Sequence, residues 1–304
     1  MSAFAPIVST FLLLLVGFLL RRTRVLRQED TGVINAVIIC ATVPALAFTI
    51  MVGQHLTWAS AGVIAAGNIA NCVSLCISWA LARLLKLGRP QMGAFMIAAT
   101  FGNTTFMGIP VVEAAFHGDR QAMLYAIMYG ELAMSLPVYT LGLWVASRFG
   151  GSHTKIHELL SPKRLPTLPA MIAGVALSAL GIAVPLMLMD AIKRLGACTL
   201  PLSMISVGLM LSARSFRGNG FLIILVSVLK LFCMPAIVYA ILTLFGVGGL
   251  ARQVVTLQAA MPNSIVSGIM TARGGSDAPF VASATLITTL ASLGTLPLIL
   301  TLLK

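Results

Sequence analysis

The sequence predicts an all-α integral membrane protein of ten transmembrane helices, built as two inverted five-helix repeats whose fourth and ninth helices are broken. Three observations predict this. Only 9% of the 304 residues are charged and 59% are hydrophobic, with a mean hydropathy of +1.00, whereas an ordinary soluble domain is about a quarter charged. Apolar runs long enough to cross a hydrocarbon core, roughly 20 residues for about 30 Å, follow one another with short polar connections. The string Asn-[Ser/Thr]-x-x-x-Gly-Ile occurs twice, at Asn103 to Ile109 and at Asn263 to Ile269, in the middle of two of those runs.

The first run, 3–20, has no basic residue before it and Arg21, Arg22, Arg24 and Arg27 after it. A secretory signal has the reverse polarity, so this is a retained span. The second and third spans are expected at 32–52 and 58–82, closed by Arg83, Lys86 and Arg89. The fourth (91–116) and fifth (121–147) flank Arg120 and end at Arg148, Lys155, Lys163 and Arg164. The sixth (166–184) and seventh (189–212) carry Lys193 and Arg194 near their junction and lead to Arg214 and Arg217. The eighth (219–246) and ninth (250–272) flank Arg252 and lead to Arg273, and the tenth (279–302) ends the chain at Lys304. Fourteen of the 20 Lys and Arg fall on the odd connections and five on the other side, with Lys230 inside a span. The positive-inside rule therefore puts the odd connections in the cytoplasm and both termini outside the cell's inner membrane. A sequence pI near 10.2 reflects this topology rather than nucleic-acid binding, which needs basic residues clustered on one face with aromatics interleaved.

The repeat extends beyond the two Asn motifs. At their offset of 160, Ser135-Leu136-Pro137 matches Thr295-Leu296-Pro297 and Pro6 matches Pro166; at 157, Thr42-Val43-Pro44 matches Thr199-Leu200-Pro201. Asn occurs six times in the chain, and two of the six align with Gly-Ile behind them. The expected units are 1–150, a cytoplasmic linker at 151–164, and 165–304. Five spans per unit is an odd number, so the second unit enters the membrane inverted.

Gly102 and Pro262 interrupt their helices near the midplane, and Asn103, Thr104, Thr105, Asn263 and Ser264 are residue types that cap a new helix start. Gly108, Pro110 and Gly268 follow as hinge or kink positions. The two new amino ends face each other at the centre, each with roughly half a positive charge and unpaired N–H groups. That is an anion site. A pair of kinks that only shapes packing is the alternative.

Gly102-Asn103-Thr104-Thr105-Phe106-Met107-Gly108-Ile109-Pro110 resembles the fourth-helix signature of the auxin efflux carrier family, bacterial transporters related to plant PIN-FORMED proteins. Pro201-Leu202-Ser203 through Gly208-Leu209, Ala260-Met261-Pro262-Asn263 and Leu296-Pro297 resemble its seventh, ninth and tenth helices. The resemblance covers essentially the whole chain. It implies a scaffold and a transport domain with crossing broken helices, as in NhaA and the bile-acid symporters, and organic-anion transport by an elevator-like movement. Plant members have Pro-Asn at the fourth-helix crossing, whereas Gly102 stands here, so a softer break is expected. Bacterial relatives are often labelled malonate or dicarboxylate carriers, which favours such an acid over an indole acid.

Glu131 and Lys230 lie deep in the fifth and eighth spans, where charges are costly and face a cavity or a partner. Lys230 is expected either to attract a substrate carboxylate or to pair with Glu131; Glu131 is either a proton-coupling carboxylate or that partner. Glu113 lies on an exit path or in solvent, and Asp190 and Asp277 are solvated helix ends. Asn68 and Asn71 make polar contacts near the site or interhelical packing bonds. Cys40, Cys72, Cys76, Cys198 and Cys233 are expected in the core, and with His55, His117, His153 and His157 they form no chelating pattern. No metal or other cofactor is expected.

No paired Asp, Ser with His, or His-Glu-x-x-His set lies at depth, which argues against an intramembrane enzyme. The expected partners are a small organic anion, membrane lipid and a coupling proton, with a homodimer left open and no nucleic acid. A sodium-coupled carrier of the bile-acid symporter type, a channel and a non-transporting ligand sensor are the alternatives.

Overall fold

The computed structural model describes residues 4–54, 57–152, 165–210 and 220–303, with backbone alone for 4–11. His55, His153, His157, Lys155, Lys163, Arg164, Arg214, Arg217, Lys304 and most of the expected linker lie outside the described residues. Those described are helical throughout, apart from turns and a single antiparallel bridge. We label the helical stretches α1 (Phe4–Arg22), α2 (Gln28–Met51), α3 (Trp58–Leu84), α4 (Arg89–Thr100, then 104–115), α5 (120–150), α6 (Thr167–Ala179), α7 (186–210), α8 (Gly220–Leu244), α9 (Gly249–Ala259, then Ile265–Arg273) and α10 (Ala278–Leu303). Among them α2, α3, α8 and α10 are each long and apolar enough to cross a membrane as one piece.

Proline sets much of the local geometry. A proline lacks the N–H that the carbonyl four residues earlier would use, and its ring crowds that carbonyl. Wide π-type turns precede Pro44, Pro110, Pro137 and Pro235, at Ile38–Thr42, Thr104–Gly108, Tyr129–Ser135 and Leu229–Cys233. Helix α3 satisfies carbonyls freed in this way: Asn71 Nδ2 donates to Ala133 O (2.6 Å), four residues before Pro137, and Asn68 Nδ2 donates to Leu132 O (3.2 Å). Both asparagines are therefore interhelical packing residues.

Helix α6 stops at Ala179 rather than at the expected 184. Gly181 takes a left-handed turn (φ +65°) and the Ile182 N–H bonds to Leu177 O (3.0 Å), a glycine stop that ends the helix before Pro185. The cysteines also depart from expectation: Cys40, Cys72, Cys76 and Cys198 are exposed and Cys233 is half-buried. In lipid an apolar side chain is as well placed on the outer surface as in the core, so apolar sequence neighbours do not mark the interior.

The helices pack as two groups. α1, α2, α6 and α7 pack mainly on one another, and α3, α4, α5, α8, α9 and α10 form the second, larger group. In the first group α1 and α7 approach backbone to backbone at Gly17 and Gly208, where an added Cβ would meet Ile205 O at 2.2 Å and Leu14 O at 2.0 Å. The two breaks lie within the second group, in α4 and α9, facing the first.

Candidate functional site

Breaking two helices at one depth leaves backbone groups that need partners. They find each other. Gly102 and Asn263 form an antiparallel bridge: the Asn103 N–H donates to Pro262 O (2.7 Å) and the Ser264 N–H donates to Phe101 O (2.9 Å). The second halves of α4 and α9 both start at this point, so two helix amino ends converge on it.

The helix restarts are not capped as expected. Asn103 stands at the cap position of its half-helix, and its backbone carbonyl accepts from the Met107 (3.2 Å) and Gly108 (3.0 Å) N–H groups, but its side chain makes no capping bond. Among the described residues the Asn103 amide has no hydrogen-bond partner, although the residue is only 2% exposed. In α9 the cap is Ser264, whose Oγ accepts from the Val266 N–H (3.2 Å). Asn263 turns to α10, donating from Nδ2 to Thr285 Oγ1 (2.7 Å) and to Val281 O (3.4 Å), while its N–H donates to Thr288 Oγ1 (3.1 Å). Its Oδ1 is buried without a partner among the described residues.

Two cavities flank the crossing, and Asn103 lines both. The larger, about 340 Å³, lies between the two helix groups; Gln28, Thr31, Asn35 and Met210 line one wall, and Ile265, Gly268, Thr285 and Thr289 the other. The smaller, about 40 Å³, is lined by Gly102, Thr104, Thr105, Glu131, Ser135 and Ser264 among others. There Glu131 Oε1 accepts from Thr105 Oγ1 (3.2 Å), which lies 3.4 Å from Ser135 Oγ. Thr104 and Thr105 thus both line the small cavity, and Thr105 is tied there to Glu131.

Lys230 is fully buried, and its Nζ donates to Ala259 O (2.6 Å) at the carboxyl end of the first half of α9. It lines neither cavity and forms no ion pair with Glu131; among the described residues the ion pair is Arg194–Asp190. A cation there offsets the partial negative charge of the helix end. The matching carbonyl in α4, Ala99 O, is 160 residues earlier and accepts from Ser74 Oγ of α3 (3.4 Å). A hydroxyl serves one break and an ammonium the other. Gly102 makes room for the lysine, since an added Cβ would lie 3.0 Å from Lys230 Nζ.

Of the expected hinges, Gly108 is helical (φ −70°) and admits Gln258, whose Oε1 would lie 1.9 Å from an added Cβ. Gly268 keeps the larger cavity open, with no atom nearer than 4.0 Å to an added Cβ. Pro110 sits at the start of the helix Ile109–Ala115. Glu113 lines neither cavity, and Asp277 Oδ1 accepts from the Phe280 N–H (3.1 Å) to cap α10. Residues not singled out from the sequence include Thr285, Thr288 and Thr289 of α10, and Gln28, Thr31 and Asn35 of α2. The three threonines share one helical face at spacings of three and four, and that spacing was available as a signal.

The profile of the membrane transport protein family matches residues 2–300. The chain is 29% identical over 301 residues to an uncharacterized transporter of Methanothermobacter thermautotrophicus, covering 98% of this chain and 97% of that protein. It is 26% identical over 293 residues to an uncharacterized transporter of Methanocaldococcus jannaschii, covering 93% and 92%.

Proposed function

The chain belongs to the membrane transport protein family, that of the auxin efflux carriers, and from that premise we propose that it is a secondary-active carrier of a small organic anion. Malonate or a similar carboxylate is the favoured cargo, moved across the inner membrane by alternating access. One observation carries the reading: Asn103 is 2% exposed, and its amide, without a hydrogen-bond partner among the described residues, lines two cavities at the convergence of two helix amino ends. A carboxylate at that point accepts from Asn103 Nδ2 and from the uncapped first N–H groups of the second half of α4, which have no partner within their helix. Lys230 adds positive charge from behind Gly102 without contacting the cargo.

The architecture proposed with this function has ten spans in inverted repeats at 1–150 and 165–304, with both termini extracytoplasmic. The distribution of Lys and Arg supports that orientation. The split into two helix groups, with the larger cavity between them, supports an elevator-like movement of the second group against the first. Glu131, hydrogen-bonded to Thr105 beside the site, is the proposed carrier of a coupling proton.

Uptake into proteoliposomes of a panel of labelled acids, with and without imposed proton and sodium gradients, tests the function. Saturable uptake of a small carboxylate, accelerated by a proton gradient and lost in Asn103→Ala, is the expected result. Stimulation by sodium alone would favour the bile-acid-symporter type of coupling, and no uptake of any acid would overturn the cargo class.

A further inference from the structure

The two ends of α2 meet the second helix group in opposite ways. Near its amino end, Gln28, Thr31 and Asn35 line the open 340 Å³ cavity. Its carboxyl end, roughly 30 Å away at 1.5 Å per residue, is tied to the second group by Arg120. Gly53 leaves the helix with φ +76° and gives its N–H to Ser178 Oγ of α6 (2.7 Å), so Thr49 O loses the partner that a continued helix would supply. Arg120 Nη2 donates to Thr49 O (3.1 Å) and to Val52 O.

The placement of this arginine is informative. It is the first residue of α5, where the helix dipole disfavours a cation. The neighbouring Asp119 is occupied as the cap, accepting from the Ala122 N–H (2.8 Å). Across the gap, the carboxyl end of α2 is where a cation is favoured, and one guanidinium nitrogen, with its two N–H groups, serves both carbonyls.

We propose that Arg120 is a positioning residue for the transport cycle, a latch that holds the two helix groups together at the end opposite the open cavity. Passage to the opposite-facing state requires its bonds to Thr49 and Val52 to break. The proposal rests on the alternating-access reading, because in a single-state protein the same bonds would merely brace a loop.

The test uses the full chain in detergent, where sidedness does not enter, with its five native cysteines replaced and Ala282 on the cavity wall changed to cysteine. The rate of reaction with a bulky polar maleimide reports how open the cavity is. Arg120→Gln should slow labelling severalfold, up to about tenfold, as the population moves to the state in which this cavity is closed. Arg120→Lys keeps a cation at the helix end on a shorter side chain that reaches the two carbonyls less well, so it should slow labelling by less and guards against a variant that fails to fold. Labelling at the wild-type rate in Arg120→Lys and in a folded Arg120→Gln overturns the latch. Acid flux in liposomes is read separately: flux with unchanged labelling rejects the latch alone, and shifted labelling without flux rejects the cargo alone.

Discussion

Asn103 and Asn263 occupy equivalent places in the two motifs, yet their side chains do different things. The Asn263 amide is committed to Thr285 and Val281 of α10, while the Asn103 amide is uncommitted. Asn103→Ala should therefore lower flux by at least about tenfold, the worth of one hydrogen bond to a charged ligand, with an unchanged melting temperature in detergent. A matching loss of thermal stability would instead identify Asn103 as structural. Under the proposed function Lys230 acts at a remove. Lys230→Gln should raise the apparent KM for a dicarboxylate about tenfold more than for a neutral analogue, and equal effects on both would leave only its bond to Ala259 O. Gly102 lets the ammonium approach.

At the level of elements, the prolines were legible in the sequence, but the wide turns before them were not. Whether a proline kinks a helix, widens a turn or does neither depends on what satisfies the freed carbonyl. In α5 it is Asn71 of α3, bonded to Ala133 O. Asn71→Ala should cost about 1–3 kcal/mol for a buried carbonyl left unpaired. In a Pro137→Ala background, where residue 137 regains an N–H for that carbonyl, the cost should shrink. A double-mutant cycle on thermal unfolding measures the difference, and an equal cost in both backgrounds would reject the account. Pro297, by contrast, lies within a continuous α10.

Across the whole molecule, helices distant in sequence join in one group, α1 with α7 and α2 with α6, while the second group brings α4 and α9 together. If the odd connections are cytoplasmic, a reporter that works only outside the cytoplasm should be active when fused to the carboxyl terminus and silent when inserted after Arg148. The reverse pattern would overturn the orientation drawn from the basic residues.

By itself the sequence determined the membrane class, the order of most helices and the positions of the two breaks, because hydrophobicity, glycine and proline act locally on the chain. The tertiary structure decided which asparagine is free, that Lys230 serves Ala259 rather than Glu131, and that Arg120 ties α5 to α2. Those outcomes depend on which backbone groups lose their local partners and which side chains from distant helices reach them, and the first five helices meet the last five only when the chain is folded.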